Sequence, residues 1–125
     1  MRPISELTPA EIENAMQSYA NKAQVTGTAW AKARADADYL DECRRVILAE
    51  EMSTAMQAGE TSLGGQERIA YASRRYQDHL SVLREARHLA HQREIEYRAC
   101  CTKCDLARSI LSTRREEMKS LGGGR

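Results

Sequence analysis

Residues Gln66–Ser120 read QERIAYASRRYQDHLSVLREARHLAHQREIEYRACCTKCDLARSILSTRREEMKS, and this stretch contains neither Gly nor Pro. Its apolar residues recur every three or four positions, as they do along one face of an α-helix. The row consists of Ile69, Ala72, Tyr76, Leu80, Leu83, Ala86 and Ala90. We therefore expect one very long amphipathic helix, and a helix of this length cannot bury its apolar stripe by itself.

Two further helices are predicted before this stretch. Thr8 and Glu11 form a capping box with Pro9 at the first helical position, so a short helix is expected over residues 9–24. Residues 25–28 should interrupt it, because Gly27 suits the end of a helix and Thr28 can cap the next one. The second helix is then expected over residues 29–57, with Trp30, Ala33, Ala37, Leu40, Ile47 and Leu48 on its apolar face.

The remaining segments complete an all-α, single-domain prediction. Residues 58–65 contain three Gly and form the expected turn, the long helix occupies residues 66–120, and residues 1–8 and 121–125 form a flexible arm and tail. Four polar residues, His91–Glu94, interrupt the apolar row, so the long helix is expected either to continue or to break near residue 92. The predicted fold is a short N-terminal helix followed by a long antiparallel helical hairpin with a C-terminal oligomerisation helix.

The composition favours a thin core. The chain of 125 residues has eighteen Ala and ten Leu but one Trp and no Phe, so it has little bulk to fill a thick interior. Oligomerisation is the expected supplement. The last part of the long helix is apolar on more than one side, and we predict that it forms the contacts between copies of the chain through Tyr97, Cys101, Cys104, Leu106, Ile110 and Leu111.

Charge is distributed unevenly although the net charge is only +1. Residues 1–60 carry six Lys/Arg against ten Asp/Glu, and residues 61–125 carry thirteen against eight. This asymmetry suggests head-to-tail self-association, a polyanion bound by the C-terminal half, or simply a solvated surface crossed by ion pairs. The basic residues expected to contact a single-stranded nucleic acid are Lys32, Arg34, Arg44, Arg45, Arg84, Arg87 and Arg98.

The cysteines do not predict a disulfide framework. Cys100, Cys101 and Cys104 lie on one helix and cannot bridge each other without distorting it, which favours a reducing cytoplasm. Small apolar packing is the preferred interpretation, while a metal site shared between subunits and a redox role are the alternatives. We predict no metal and no cofactor.

No catalytic arrangement is apparent in the sequence. There is no Gly-rich phosphate loop ending in Lys and Ser/Thr, and His79, His88 and His91 lack a paired nucleophile. No signal peptide and no apolar run long enough to span a membrane is present. We therefore expect a non-enzymatic, cytoplasmic protein without a membrane partner.

The order of these features resembles the small phage recombination mediators of the UvsY type. The shared features are a short first helix, a Trp near the start of the second (Ala29-Trp30-Ala31-Lys32), a glycine-containing turn (Gly59-Glu60-Thr61-Ser62), and a long helix with an apolar, Cys-containing stretch and a basic end (Arg114-Arg115-Glu116-Glu117-Met118-Lys119). The resemblance covers roughly residues 14–119 and depends on length, helix order and sparse identities.

The resemblance implies a non-catalytic protein that binds single-stranded DNA as a homo-oligomer. It also implies that the protein helps a recombinase to displace single-strand-binding protein, in the cytoplasm of a bacterial host. One departure concerns Glu50-Glu51-Met52-Ser53, which occupies the place where the family is expected to carry basic residues. DNA contacts would then come from the basic residues of the second helix or from a basic ridge on the long helix, formed by Arg84, Arg87, His91 and Arg98.

Two other functions are compatible with the same sequence. One is a structural or adaptor hairpin that mediates protein assembly without nucleic acid, and the other is a regulator of a host enzyme. Indifference to DNA together with a defined oligomer would favour the adaptor. The spacing of a helix-turn-helix with a short recognition helix is missing, which disfavours specific readout of duplex DNA.

Overall fold

The computed structural model describes residues 6–123, and within them α-helices are the main structure, as the sequence predicts. Helix α1 spans Pro9–Gln57, α2 spans Leu63–Ala72, and α3 spans Arg74–Gly123. No strand occurs between residues 6 and 123. The predicted all-α class is therefore confirmed, although the boundaries of the helices differ from those expected.

The start of α1 follows its local sequence. The backbone N–H of Glu11 donates to Thr8 Oγ1 at 3.2 Å, and the backbone N–H of Thr8 donates to Glu11 Oε1 at 3.4 Å. Pro9 occupies the first helical position, where its missing N–H removes no hydrogen bond. The capping box predicted from the sequence is confirmed because it depends only on residues three apart.

The predicted interruption at residues 25–28 is wrong, since α1 runs through it without a break. Thr26 Oγ1 donates to the carbonyl of Lys22 at 2.8 Å, and Thr28 Oγ1 donates to the carbonyl of Gln24 at 2.9 Å. Both hydroxyls thus bond within the helix instead of capping a new one. Gly27 has a different role, because a Cβ at this position would lie 3.0 Å from the ring of Tyr97. The glycine allows the ring to approach α1.

The turn after α1 is confirmed in place but is shorter than predicted. Gly59 adopts a φ of 109°, which favours glycine, whereas Gly64 and Gly65 already belong to α2. Ser62 caps α2 by accepting a hydrogen bond from the backbone N–H of Gly65 at 3.1 Å. The carboxylate of Glu60 lies so close to Gly65 that a Cβ there would overlap it.

A break at Ser73 separates α2 from α3, so the single helix predicted from residue 66 is wrong at this point. Ser73 is extended, with φ −63° and ψ 145°, and its Oγ accepts a hydrogen bond from the backbone N–H of Tyr76 at 3.2 Å. The side chain of Gln77 donates to the carbonyl of Tyr71 at 2.6 Å and satisfies an acceptor at the end of α2.

Helix α3 continues past His91, which decides between the two predicted alternatives near residue 92. The less exposed positions keep the spacing of three and four through this region, at Ala86, Ala90, Arg93 and Tyr97. Arg93 is tolerated in the row because it pairs with Glu96 at 3.2 Å. The helix also includes Leu121–Gly123, so the flexible tail predicted over residues 121–125 is wrong for residues 121–123. Residues 1–5, 124 and 125, where the remaining parts of the predicted arm and tail fall, lie outside the described part.

The contacts divide the chain into two compact units. The central unit is Trp30–Gln92, and the terminal unit comprises the described residues of Met1–Ala29 and Arg93–Arg125. Both units contain segments of α1 and α3. The single domain expected from the length stays a prediction. Five of the nine buried hydrophobic residues among those described are Ala, so the core is thin, as the composition indicates.

In each unit the segments of α1 and α3 run in opposite directions. In the central unit Asp41 pairs with Arg87, whereas the later Glu50 pairs with the earlier Arg75. In the terminal unit the buried cluster joins Ile12 to Ala107 and Leu111.

Candidate interaction surfaces

Two ion pairs between α1 and α3 mark the two sides of the central unit. Asp41 Oδ1 lies 3.1 Å from Arg87 Nη2, and Glu50 Oε2 lies 2.6 Å from Arg75 Nη1. The inward-facing row of α1 contains the buried Ala33 and Ala37 and the half-buried Leu40 and Arg44. Asp41 lies on one edge of this row, and Glu50 lies on the other. Residues seven apart return to nearly the same side of a helix, so each pair identifies the neighbours that share its side.

The charged flank is the side marked by Asp41 and Arg87. It comprises Arg34, Asp38, Asp41 and Arg45 on α1, and Arg84, Arg87 and His91 on α3, in each case spaced by three or four residues. Four of the seven basic residues predicted to contact nucleic acid therefore share one surface. These are Arg34, Arg45, Arg84 and Arg87.

Asp41 is the electrostatic centre of this flank. Arg44 Nε donates to Asp41 Oδ1 at 3.1 Å, and this hydrogen bond is the main reason why the pKa of Asp41 is lowered. Burial opposes the shift, and the positive charges of Arg44, Arg87 and Arg45 lower the pKa further. One carboxylate thus interacts with three guanidinium groups. Arg44 and Arg87 donate hydrogen bonds to it, and Arg45 acts through its charge.

The other predicted basic residues do not join the charged flank. Arg44 lies in the inward-facing row, where Nη1 donates to the Tyr76 hydroxyl at 3.4 Å, and this hydrogen bond raises the pKa of the guanidinium. Lys32 is exposed on the opposite side of α1. Arg98 belongs to the terminal unit and lies 3.7 Å from Glu94.

Antiparallel pairing uses the charge asymmetry of the sequence inside the chain. The acidic first half meets the basic second half in the pairs Asp41–Arg87, Glu50–Arg75 and Glu13–Arg115, the last at 2.7 Å. The central unit consequently carries nine Lys/Arg against ten Asp/Glu. The charge asymmetry that suggested an external polyanion is thus largely neutralised within each unit. The signal for this in the sequence was an acidic first half followed by a basic second half.

The apolar flank is the side marked by Glu50 and Arg75, and sequence reasoning missed it. Cys43 lies seven residues before Glu50, and Val82 and Leu89 lie seven and fourteen after Arg75. Tyr39 and Val46 border Cys43 and are 66% and 57% exposed. The flank therefore comprises Tyr39, Cys43, Val46, Val82 and Leu89. A hydrogen bond with the Cys43 thiol raises the pKa of the Tyr39 phenol and links two members of it.

Most residues predicted for oligomerisation are used within the terminal unit. Leu111 is only 4% exposed and packs with Ile12, and Ile110 packs against the same cluster. The ring of Tyr97 lies against Gly27, and its phenol forms a hydrogen bond with the Cys101 thiol that raises the pKa of Tyr97. Leu106, by contrast, is 52% exposed and remains available for a partner.

A groove of about 440 Å³ lies in the terminal unit between the start of α1 and the end of α3. The Glu13–Arg115 ion pair closes part of its wall, and Cys104 lines it with Arg108. Arg108 Nη2 lies 4.0 Å from Cys104 Sγ, and Arg108 Nη1 lies 3.7 Å from Asp105 Oδ1. Cys104 therefore faces α1 across a polar groove.

The cysteines are reduced and half-buried, and the described part of the chain offers no cluster of three or more His, Cys, Asp or Glu side chains suited to a metal ion. None of the three helices, as far as residues 6–123 extend, is both long and apolar enough to cross a membrane. Comparison with known proteins gave no match to a protein-family model, a curated protein or a solved structure.

Proposed function

We propose that this chain is a non-catalytic, cytoplasmic adaptor whose α1 and α3 form a helical hairpin that assembles with other protein surfaces, including copies of itself. The observation that carries the proposal is the contrast between the two flanks of the central unit. On one side Asp41 pairs with Arg87 across α1 and α3, whereas on the other side apolar side chains remain exposed. Exposed contiguous apolar surface is typical of interaction sites.

The terminal unit supports the same proposal with fewer residues. Ile95 is exposed on α3 together with Leu106, and Val25 is exposed on α1. Because the core is thin, covering such side chains is an effective route to additional stability. The last third of α3 therefore also contacts other copies of the chain, through the exposed Leu106 and not through the buried Leu111.

Light scattering after size-exclusion chromatography tests the adaptor proposal. The full chain should elute as a defined oligomer whose mass falls on dilution, since association follows mass action. A folded single chain that stays monomeric at high micromolar concentration would exclude self-assembly and remove the main support for this function.

Single-stranded DNA binding by a recombination mediator is the second candidate. The specific observation in its favour is that Arg34, Arg45 and Arg84 are exposed on the charged flank and form no ion pair with another described residue. One copy presents few such groups and should bind weakly. An oligomer that repeats the flank would bind more tightly through linked contacts, as the UvsY-type resemblance implies.

Titration with a labelled single-stranded oligonucleotide at two salt concentrations tests this candidate. Binding should fall steeply with salt, and replacing Arg45 and Arg84 by Ala should weaken it alike for every sequence. If both arginines contact phosphates, the slope of log affinity against log salt should shrink by about 1.4.

The matched control replaces Arg68 and Arg74 by Ala, which changes the net charge equally at exposed positions outside the charged flank. Equal losses in the two double variants would indicate a general charge effect without a site. Absence of binding at low salt would eliminate the mediator function and leave the adaptor.

A further inference from the structure

A second row of residues runs along α1 beside the inward-facing one. It consists of Lys32, Asp36, Tyr39, Cys43, Val46 and Glu50, which alternate in spacing between four and three residues. This spacing keeps all six on one side of the helix over about 27 Å, from the rise of 1.5 Å per residue. The row is charged at both ends and apolar in the middle.

Helix α3 widens the apolar middle of this row. Val82 and Leu89 lie on the same side of the central unit, because they follow Arg75 at intervals of seven and Arg75 pairs with Glu50. Helices that pair with only one neighbour need apolar residues at two positions per seven. A third apolar position on the same side of both helices is typical of a bundle in which further helices cover that side.

The ends of the row indicate what covers it. Lys32 stands at one end and Glu50 at the other, so the row is complementary to itself only when reversed. A copy packed in the same direction would place lysine beside lysine and glutamate beside glutamate. A copy related by a two-fold axis between Tyr39 and Cys43 instead brings each Lys32 to the partner's Glu50, each Tyr39 to the partner's Cys43 and each Asp36 to the partner's Val46.

We propose that the apolar flank of the central unit binds a second copy of this chain, antiparallel and two-fold symmetric, to form a four-helix interface. The inference deepens the proposed adaptor function and depends on it, since it names both the partner and the surface. It assigns self-association to Tyr39, Cys43, Val46, Val82 and Leu89, at a place other than the C-terminal residues expected from the sequence.

The first test compares two valine substitutions on α1. Val46→Asp places a carboxylate opposite the partner's Asp36 in this register, and Val25→Asp introduces the same charge on the same helix in the terminal unit, where the valine is 70% exposed. Light scattering over a concentration series should show that Val46→Asp raises the dimer dissociation constant at least about tenfold, because like charges would face each other at two symmetric contacts. Val25→Asp should leave it unchanged.

The second test exchanges the charges at the two ends of the row. Lys32→Glu should weaken the dimer roughly tenfold, because two favourable contacts become repulsive at a two-fold interface. The double variant Lys32→Glu, Glu50→Lys should restore dimerisation. Loss of the Glu50–Arg75 pair within the chain matters little to folding, since both side chains are about half exposed.

Each outcome discriminates between the two levels of the proposal. A monomeric wild-type chain overturns the inference and removes self-assembly, the main support of the proposed function. A wild-type oligomer that survives Val46→Asp, or a charge exchange that fails to restore the dimer, overturns the inference while the adaptor function stands. Circular dichroism verifies folding of every variant, and the charge exchange decides alone if Val46→Asp does not fold.

Discussion

Asp41 organises more of the surface than any other single residue of the central unit. Its carboxylate receives Arg44 along the same helix and Arg87 from α3, and Arg45 adds a third positive charge. The three arginines are therefore tolerated next to each other because Asp41 is ionised. Sequence reasoning counted Arg44 and Arg87 as available for nucleic acid, whereas both donate hydrogen bonds to Asp41.

Replacing Asp41 by Asn should lower the melting temperature at neutral pH. The pKa of Asp41 is lowered in the folded chain, so its stabilising effect is complete above the ordinary carboxyl pKa and disappears as the pH falls through the lowered value. Thermal unfolding followed by circular dichroism should show a deficit of Asp41→Asn at neutral pH that shrinks in acid. Asp36→Asn, at an exposed position without an ion pair to a described residue, is the control, and an equal deficit there would contradict this role.

Gly27 shows what local sequence cannot predict. A glycine after Val25 and Thr26 resembles a helix end, and only the Tyr97 ring, which is distant along the chain, reveals that it permits a close contact. Gly27→Ala should gain about 1 kcal/mol of helix propensity when Tyr97 is also replaced by Ala. In the wild-type background the gain should be smaller, because the new methyl group would press on the ring.

Chemical denaturation of these four chains measures the coupling between Gly27 and Tyr97. Equal effects of Gly27→Ala in both backgrounds would mean that the ring does not constrain this position.

At the scale of elements, boundaries that depend on neighbouring residues were predictable and the others were not. The capping box of Thr8 and Glu11 and the turn at Gly59 follow from local hydrogen bonds and backbone geometry. The break at Ser73 has no Gly or Pro to mark it and depends on a serine cap instead. Helix α3 continues past His91 with its row of less exposed positions intact at Ala90, Arg93 and Tyr97, although the polarity of the segment suggested a possible break.

Gly59 and Gly64 should respond to alanine in opposite ways although they lie in the same predicted turn. Gly59→Ala should cost about 1–2 kcal/mol, because φ is 109° and a side chain is strained there. Gly64→Ala should be neutral or stabilise by up to about 1 kcal/mol, since Gly64 is helical and nothing lies within 4 Å of the added group. Urea unfolding of both variants checks the contrast, and the same sign in both would contradict the boundary between turn and α2.

At the scale of the molecule, the acidic α1 pairs with the basic α3 within each unit, which neutralises much of the charge asymmetry of the sequence. The long amphipathic helix and the thin, alanine-rich core were predictable from composition and periodicity. The use of the charge asymmetry inside each unit was not, because it requires the register that sets Asp41 beside Arg87 and Glu13 beside Arg115. The same register brings Val82 and Leu89 to the side of Tyr39 and Val46.

Light scattering of the full chain over a range of concentrations tests the central claim, that exposed apolar surface on paired helices serves self-assembly. We predict a folded species with at least twice the 14.1 kDa mass of one chain, reduced toward a single chain by Val46→Asp and unaffected by Val25→Asp. A folded wild-type protein that keeps the mass of one chain at the highest concentration would contradict it.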